Sequence, residues 1–193
     1  MYNFFNRLLA LLISAILFPV IFFIYFFLLT KIGNPIIFKQ KRSGLNGKSF
    51  YLYKFRTMQI KKNKKEIKRI YKSTLFLRTS RLDEFPQLFN VIKGDLNFVG
   101  PRPLLIEYNK LYNRNQKMRL SVMPGITGWA QVNGDNNISW SKKFKLDIWY
   151  VENKSIFLDI KIILLTINFI FKKIIYKKNK EKIIIAKKFN GKN

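Results

Sequence analysis

The chain has 193 residues and carries 37 Lys and Arg against 10 Asp and Glu, a formal charge of +27 that opposes compaction unless anionic partners offset it. Nucleic acid, an anionic membrane and phosphorylated substrates are the candidates, although most lysines read as solvated residues of an Asn-, Lys- and Ile-rich composition. Cys and His are both absent, which excludes disulfides, thiolate nucleophiles, the commonest zinc ligands and the commonest general base. Chemistry must therefore rest on a few carboxylates, in a chain sized for one compact domain with a short membrane element.

No residue from Leu8 to Leu29 is charged, and Arg7 and Lys31 flank the run. At ~1.5 Å per helical residue this is long enough to cross a ~30 Å hydrocarbon core. It is too long for a signal-peptide core, and no small-residue cleavage site comes after it. Pro19 near its middle removes a helical hydrogen bond, leaving two geometries: a kinked spanning helix, or a helical hairpin that returns to the same face. Lys31, Lys39, Lys41 and Arg42 place the region after the apolar run on the cytoplasmic side in either case. Gly33-Asn34-Pro35 predicts a turn, Ile36 to Phe38 a short strand, Ser43 to Lys48 a second turn and Ser49 to Arg56 a strand, together a small β-hairpin. Lys61 to Lys72 reads as a solvated basic face or loop. Ile156 to Ile175 is apolar but contains Asp159 and Lys161, and its uncharged stretch from Ile162 to Phe171 is too short to span. It is expected to lie on the membrane or pack in the core, with the lysines from Lys172 onward against anionic head groups and Trp129, Trp140 and Trp149 suited to the interface.

Gly44 to Ser49 superficially resembles a phosphate-binding loop, but it is two residues too short between its glycines and sits in a hairpin. The adjacent acids Asp83 and Glu84 precede an apolar stretch ending near Lys93-Gly94, and Pro86 requires a helix to begin close to them. Negative charge there is stabilised by the free amides and dipole of a helix start. Capping alone would explain two such acids. Their context adds more, because Arg78 and Arg81 lie upstream and Gly100-Pro101-Arg102-Pro103 downstream, with prolines that restrain Arg102 for phosphate binding. Lys54 and Arg56 are expected on one strand face, roughly 7 Å apart, able to address neighbouring phosphates; a charged strand edge is the alternative. The loop Pro124 to Gly134 combines glycines that admit a ligand with Thr127, Gln131 and Asn133, which can hydrogen-bond a base or sugar; a structural turn is the alternative there.

In order, Tyr53-Lys54-Phe55-Arg56-Thr57-Met58, Leu82-Asp83-Glu84-Phe85-Pro86-Gln87-Leu88-Phe89-Asn90-Val91, Lys93-Gly94-Asp95, Val99-Gly100-Pro101-Arg102-Pro103 and Pro124 to Gly134 resemble the motifs of the bacterial sugar transferase family, across nearly the whole chain. Its small members are monotopic polyprenyl-phosphate phosphoglycosyltransferases. The resemblance implies an α+β, mainly helical fold: an N-terminal re-entrant membrane helix broken at Pro19 (1–30), and a membrane-associated catalytic domain (31–193) with a small β-hairpin, interfacial amphipathic helices and a basic tail. It also implies a location on the cytoplasmic face of the bacterial inner membrane.

By the same resemblance, Asp83 attacks the β-phosphorus of a UDP-sugar, and undecaprenyl phosphate then takes the sugar 1-phosphate. Glu84 assists or, with Asp83, holds Mg²⁺, and Lys54, Arg56, Arg78 and Arg102 bind phosphates. Asp95 and Asp159 are expected in structural or secondary roles. The implied partners are the two substrates, the anionic membrane and downstream glycosyltransferases, with no nucleic acid. The ending Lys188 to Asn193 is similar to that of members that begin N-linked glycan assembly with UDP-N,N'-diacetylbacillosamine. UDP-GlcNAc, UDP-GalNAc and UDP-glucose or UDP-galactose are the alternative donors, and a non-catalytic membrane scaffold is a further alternative. The chain departs from the family in Phe18-Pro19, where Ser-Pro is usual, and in Gly134-Asp135-Asn136, where Gly-Arg-Asn is usual.

Overall fold

The computed structural model describes residues 2–59, 70–134, 137–175 and 188–191. The basic stretch 61–69, Asp135 and most of the lysine-rich tail fall outside the described residues. The apolar N-terminal run forms one helix, α1 (Tyr2–Ile32), with Pro19 inside it. The helix therefore continues through the proline, contrary to the expected break. Asn6, Ala10, Ile24 and Leu28 fall on one stripe, at helical spacing, that meets the rest of the protein. The remaining faces leave Phe4, Leu12, Ile16, Phe18 and Phe23 exposed.

Strands β1 (Ile37–Ser43) and β2 (Ser49–Phe55) pair antiparallel from Ile37↔Phe55 to Ser43↔Ser49, the hairpin expected, with a longer first strand. The turn is a 3-10 segment, Leu45–Gly47, in which Asn46 and Gly47 take positive φ. The inner face of β2 carries Phe50 and Leu52 into the core, and Lys54 continues that face.

Two short helices come next, α2 (Leu75–Thr79) and α3 (Gln87–Lys93). Gly94 terminates α3 in the left-handed region at φ 89°, and the guanidinium of Arg7 lies where its Cβ would be. Asn90 on α3 substitutes for a strand neighbour of β2. Its Oδ1 accepts from Tyr53 N–H (3.1 Å) and its Nδ2 donates to Tyr51 O (2.7 Å) and to Asp95 Oδ2 (3.2 Å). Asp95 thus has the structural role expected of it.

A parallel pair, β3 (Asn97–Val99) with β4 (Gly125–Thr127), brings Gly100 against Gly125 and Gly128 so closely that a Cβ at either of the latter would strike the Gly100 backbone. These loop glycines let two backbones approach each other. Helices α4 (Arg114–Lys117), α5 (Trp129–Val132), α6 (Trp140–Asn153) and α7 (Ile156–Ile175) complete the fold. Asp159, Ile162 and Thr166 face inward on α7: Tyr150 Oη donates to Asp159 Oδ1 (2.7 Å), and Thr166 hydrogen-bonds Thr127 (2.7 Å). The opposite stripe of Phe157, Ile160, Leu164, Ile167 and Phe171 is exposed, Phe157 by 85%. Phe189 packs among Tyr108, Tyr112 and Phe144, anchoring the tail in the core.

Candidate active site

The two acids lie on a 3-10 turn, Leu82–Glu84, one turn before α3 and not in its first turn as expected. Arg81 enters this turn at φ 62°, a left-handed conformation that costs roughly 1–2 kcal/mol for a side-chain-bearing residue. The amides of Glu84 and Phe85 already donate to Arg81 O (3.0 Å) and Leu82 O (3.3 Å), so neither is free to cap the acids. Side-chain cations stabilise the charge in their place.

Three of them converge on one oxygen. Glu84 Oε1 receives Lys54 Nζ at 2.5 Å, Arg102 Nη2 at 3.0 Å and Arg81 Nη1 at 3.5 Å. Burial disfavours the Glu84 charge, yet Lys54, Arg102 and Arg81 together outweigh it and hold the carboxyl well below its ordinary range. Lys54 is itself pushed down by burial, against the pull of Glu84.

Asp83 is buried beside this hub and enters no ion pair among the described residues. Burial pushes its carboxyl up to about 6 and the adjacent Glu84 adds to the rise, while Lys54, Arg78 and Arg81 pull against both. The neighbouring acids are thus driven apart: Glu84 is a fixed anion that organises cations, and Asp83 is a carboxylate of raised basicity. Such a group is a stronger nucleophile than an ordinary aspartate and is still ionised at neutral pH.

Residues 1–173 match the family profile described as bacterial sugar transferase. The chain belongs to the bacterial sugar transferase family. Among the relatives of this sugar transferase is the uncharacterized sugar transferase EpsL of Bacillus subtilis, 56% identical over 142 residues, covering 71% of this chain and 70% of that protein. Galactosyl transferase CpsE of Streptococcus agalactiae is 44% identical over 156 residues, covering 71% of this chain and 35% of that protein. The UDP-glucose:undecaprenyl-phosphate glucose-1-phosphate transferase of Escherichia coli is 37% identical over 174 residues, covering 82% of this chain and 38% of that protein. The matches thus span little more than a third of the length of CpsE and of the Escherichia coli relative.

In the transferase, the other residues singled out from the sequence divide into two groups. Arg78 remains near the acids, donating from Nη1 to Thr57 Oγ1 (3.1 Å) and acting on Asp83 through its charge. Arg56 does not join Lys54 at the acids. It lies past the end of β2, buried, and donates to the carbonyls of Pro35 (2.5 Å), Ile32 (2.9 Å) and Gly33 (2.7 Å), closing the C-terminal end of α1. Thr127 bonds Thr166, Gln131 Nε2 donates to Ile126 O (3.0 Å), and Asn133 Nδ2 donates to Trp129 O (2.8 Å). No hydrogen bond or ion pair joins these three to the acids among the described residues.

Sequence reasoning missed the support behind Arg102. Buried Arg119 donates from Nη2 to Arg102 O (2.6 Å) and from Nε to Asp147 Oδ2 (3.0 Å). No local motif announces that contact, because Arg119 and Asp147 lie far apart in the sequence. A divalent cation needs oxygen ligands, and no cluster of three acids occurs among the described residues. Mg²⁺ commonly uses one or two carboxylates and completes its shell with substrate phosphates and water, a donor set that Asp83 and Glu84 fit.

Proposed function

We propose that the chain transfers a sugar 1-phosphate from a UDP-sugar to undecaprenyl phosphate, releasing UMP, with Asp83 as a covalent nucleophile. The observation that carries this reading is a buried Asp83 of raised pKa, outside any ion pair among the described residues, beside a Glu84 that gathers Lys54, Arg81 and Arg102. An Asp83 oxygen attacks the β-phosphorus, and the bond from that phosphorus to the bridging oxygen breaks with its electron pair leaving on UMP. A phosphate oxygen of the polyprenyl acceptor then attacks the same phosphorus and releases Asp83. Lys54, Arg78 and Arg102 offset charge on the phosphoryl oxygens during both displacements. Mg²⁺ held by Asp83 and Glu84 with substrate oxygens would supply further charge neutralisation.

The membrane reading is that α1 bends at Pro19 without breaking, so that both of its ends meet the cytoplasmic face of the inner membrane, a re-entrant and not a spanning arrangement. Its support is that both limbs dock on one catalytic unit. Asn6 Oδ1 accepts from Phe98 N–H (3.1 Å) and Ala10 packs with Phe50 and Val91, while Ile24 and Leu28 pack with Phe55 and Leu77. The exposed apolar stripe of α7 is the interfacial surface that accompanies this placement.

The donor reading is UDP-N,N'-diacetylbacillosamine, from the tail Lys188 to Asn193. A second reading, UDP-glucose or UDP-galactose, is supported by the names of the Escherichia coli relative and of the undecaprenyl-phosphate galactose phosphotransferase of Salmonella typhimurium. The packing of Phe189 in the core gives that part of the tail a structural role of its own. Purified protein with Mg²⁺ and a panel of UDP-sugars decides between them. Without acceptor, the correct donor is expected to release about one UMP per enzyme and to add one sugar phosphate to the intact mass. UMP release that strictly requires acceptor, with no mass change, would overturn the covalent route.

A further inference from the structure

The cationic row around Glu84 extends beyond the residues that Glu84 neutralises. In the hairpin register Phe38 faces Lys54 and Arg42 faces Phe50, and directly opposed residues share a face. Arg42 therefore lies on the same inner face as Lys54, the face that reaches the acids. A bridge between Arg42 and Leu105, and a bond from Ser43 N–H to Leu104 O (2.9 Å), bring it alongside the segment that begins at Gly100-Pro101-Arg102-Pro103. The Arg42 and Lys54 backbones are roughly 13 Å apart along the strands. Arg102 bridges that interval electrostatically, since its charge bears on both.

Compensation stops at one end of this row. Glu84 pairs with Lys54, Arg81 and Arg102, while no carboxylate pairs with Arg42 among the described residues. Nη2 of Arg42 donates to the neutral Gln40 Oε1 (2.6 Å), and its Nε is buried without a hydrogen-bond partner among those residues. A guanidinium held beside another cation, with a buried donor unmet, is a costly arrangement unless an anion completes it. Its planar fork matches a phosphate group.

We propose that Arg42 is a phosphate-binding residue of the active site, holding the α-phosphate that departs with UMP. This rests on the reading of Asp83 as the residue that attacks the β-phosphorus. With the reacting phosphate at the Asp83 and Glu84 end, the second phosphate of the donor extends along the row to Arg42. When the bond from the β-phosphorus to the bridging oxygen breaks, the electron pair stays on that oxygen. Arg42 meets the charge that develops there.

The test uses the full chain in detergent micelles, as wild type, Arg42→Gln and Arg42→Lys. UMP binding is measured by calorimetry, and KM for the UDP-sugar, UMP inhibition and melting temperature are measured alongside. Arg42→Gln is expected to weaken UMP binding and inhibition at least tenfold and to raise KM, with a melting temperature no lower than that of wild type. Arg42→Lys is expected to recover part of the affinity, since it keeps the charge and loses the fork. UMP affinity within twofold of wild type in a folded Arg42→Gln protein overturns the proposal. If that variant does not fold, Arg42→Lys decides, a threefold or greater loss supporting the proposal and an unchanged affinity overturning it. Wild type that binds UMP but releases none from any UDP-sugar would defeat the transferase reaction, while the calorimetry still decides Arg42. Wild type that binds no UMP overturns the Arg42 proposal outright.

Discussion

Replacing Asp83 by Asn should abolish transfer and stabilise the protein, two effects with one origin. The Asp83 carboxyl titrates at about 6 in the fold against 3.8 in the absence of the protein environment. Because the folded value is the higher one, ionised Asp83 opposes folding at neutral and alkaline pH. The penalty fades as pH falls through about 6 and is nearly gone below 3.8. At 1.36 kcal/mol per pH unit the difference amounts to about 3 kcal/mol at pH 8, shrinking to about 1 kcal/mol at pH 4.5. Asn keeps the shape and removes the charge. At pH 8 Asp83→Asn should therefore melt about 6–12 °C above wild type, using ~2–4 °C per kcal/mol for a chain of this size, and the gain should contract to a few degrees at pH 4.5. Scanning calorimetry or tryptophan-monitored melts of both proteins at the two pH values provide the measurement. A variant no more stable than wild type at pH 8, or equally stabilised at both, would refute the picture of Asp83 as a buried anion held at a cost.

The same titration sets a pH dependence for catalysis: kcat/KM should rise tenfold per unit up to about pH 6 and level off above it, and a rate independent of pH between 5 and 7 would separate Asp83 ionisation from turnover. Glu84→Gln should cost about 3–5 kcal/mol, because it leaves Lys54, Arg81 and Arg102 around a neutral amide; chemical denaturation measures this, and a loss below 1 kcal/mol would argue against the hub. Asn90→Ala removes three hydrogen bonds between α3, β2 and Asp95 and should cost about 2–4 kcal/mol in the same assay. Gly94→Ala forces a side chain to φ 89° and into Arg7 and should cost about 1–2 kcal/mol for the backbone alone. Adding Arg7→Ala should relieve any further loss, and full recovery would show that the backbone cost was absent.

The strong local signals are legible without coordinates. An uncharged run has few alternatives to a membrane helix, and alternation around a glycine-containing turn specifies a hairpin. The ordered motifs identify the family, and the match over residues 1–173 agrees. Other expectations fail because local pattern does not decide what a side chain meets. Alternation predicts Arg56 beside Lys54 on a strand face, but the strand ends at Phe55 and the C-terminal carbonyls of α1 take its guanidinium. Gly125 and Gly128, which the sequence allows as room for a ligand or as a structural turn, lie against the Gly100 backbone.

By itself the sequence determined that chemistry must fall to carboxylates, that Asp83 and Glu84 stand among cations, and that an apolar helix precedes the catalytic part, because composition and short spacings fix these. Only the tertiary structure gave the two acids different surroundings. Burial and the distances from Lys54, Arg81 and Arg102 to one oxygen of Glu84 arise from segments up to about 30 residues apart. Electrostatic fields depend on distances in space, and folding sets those distances.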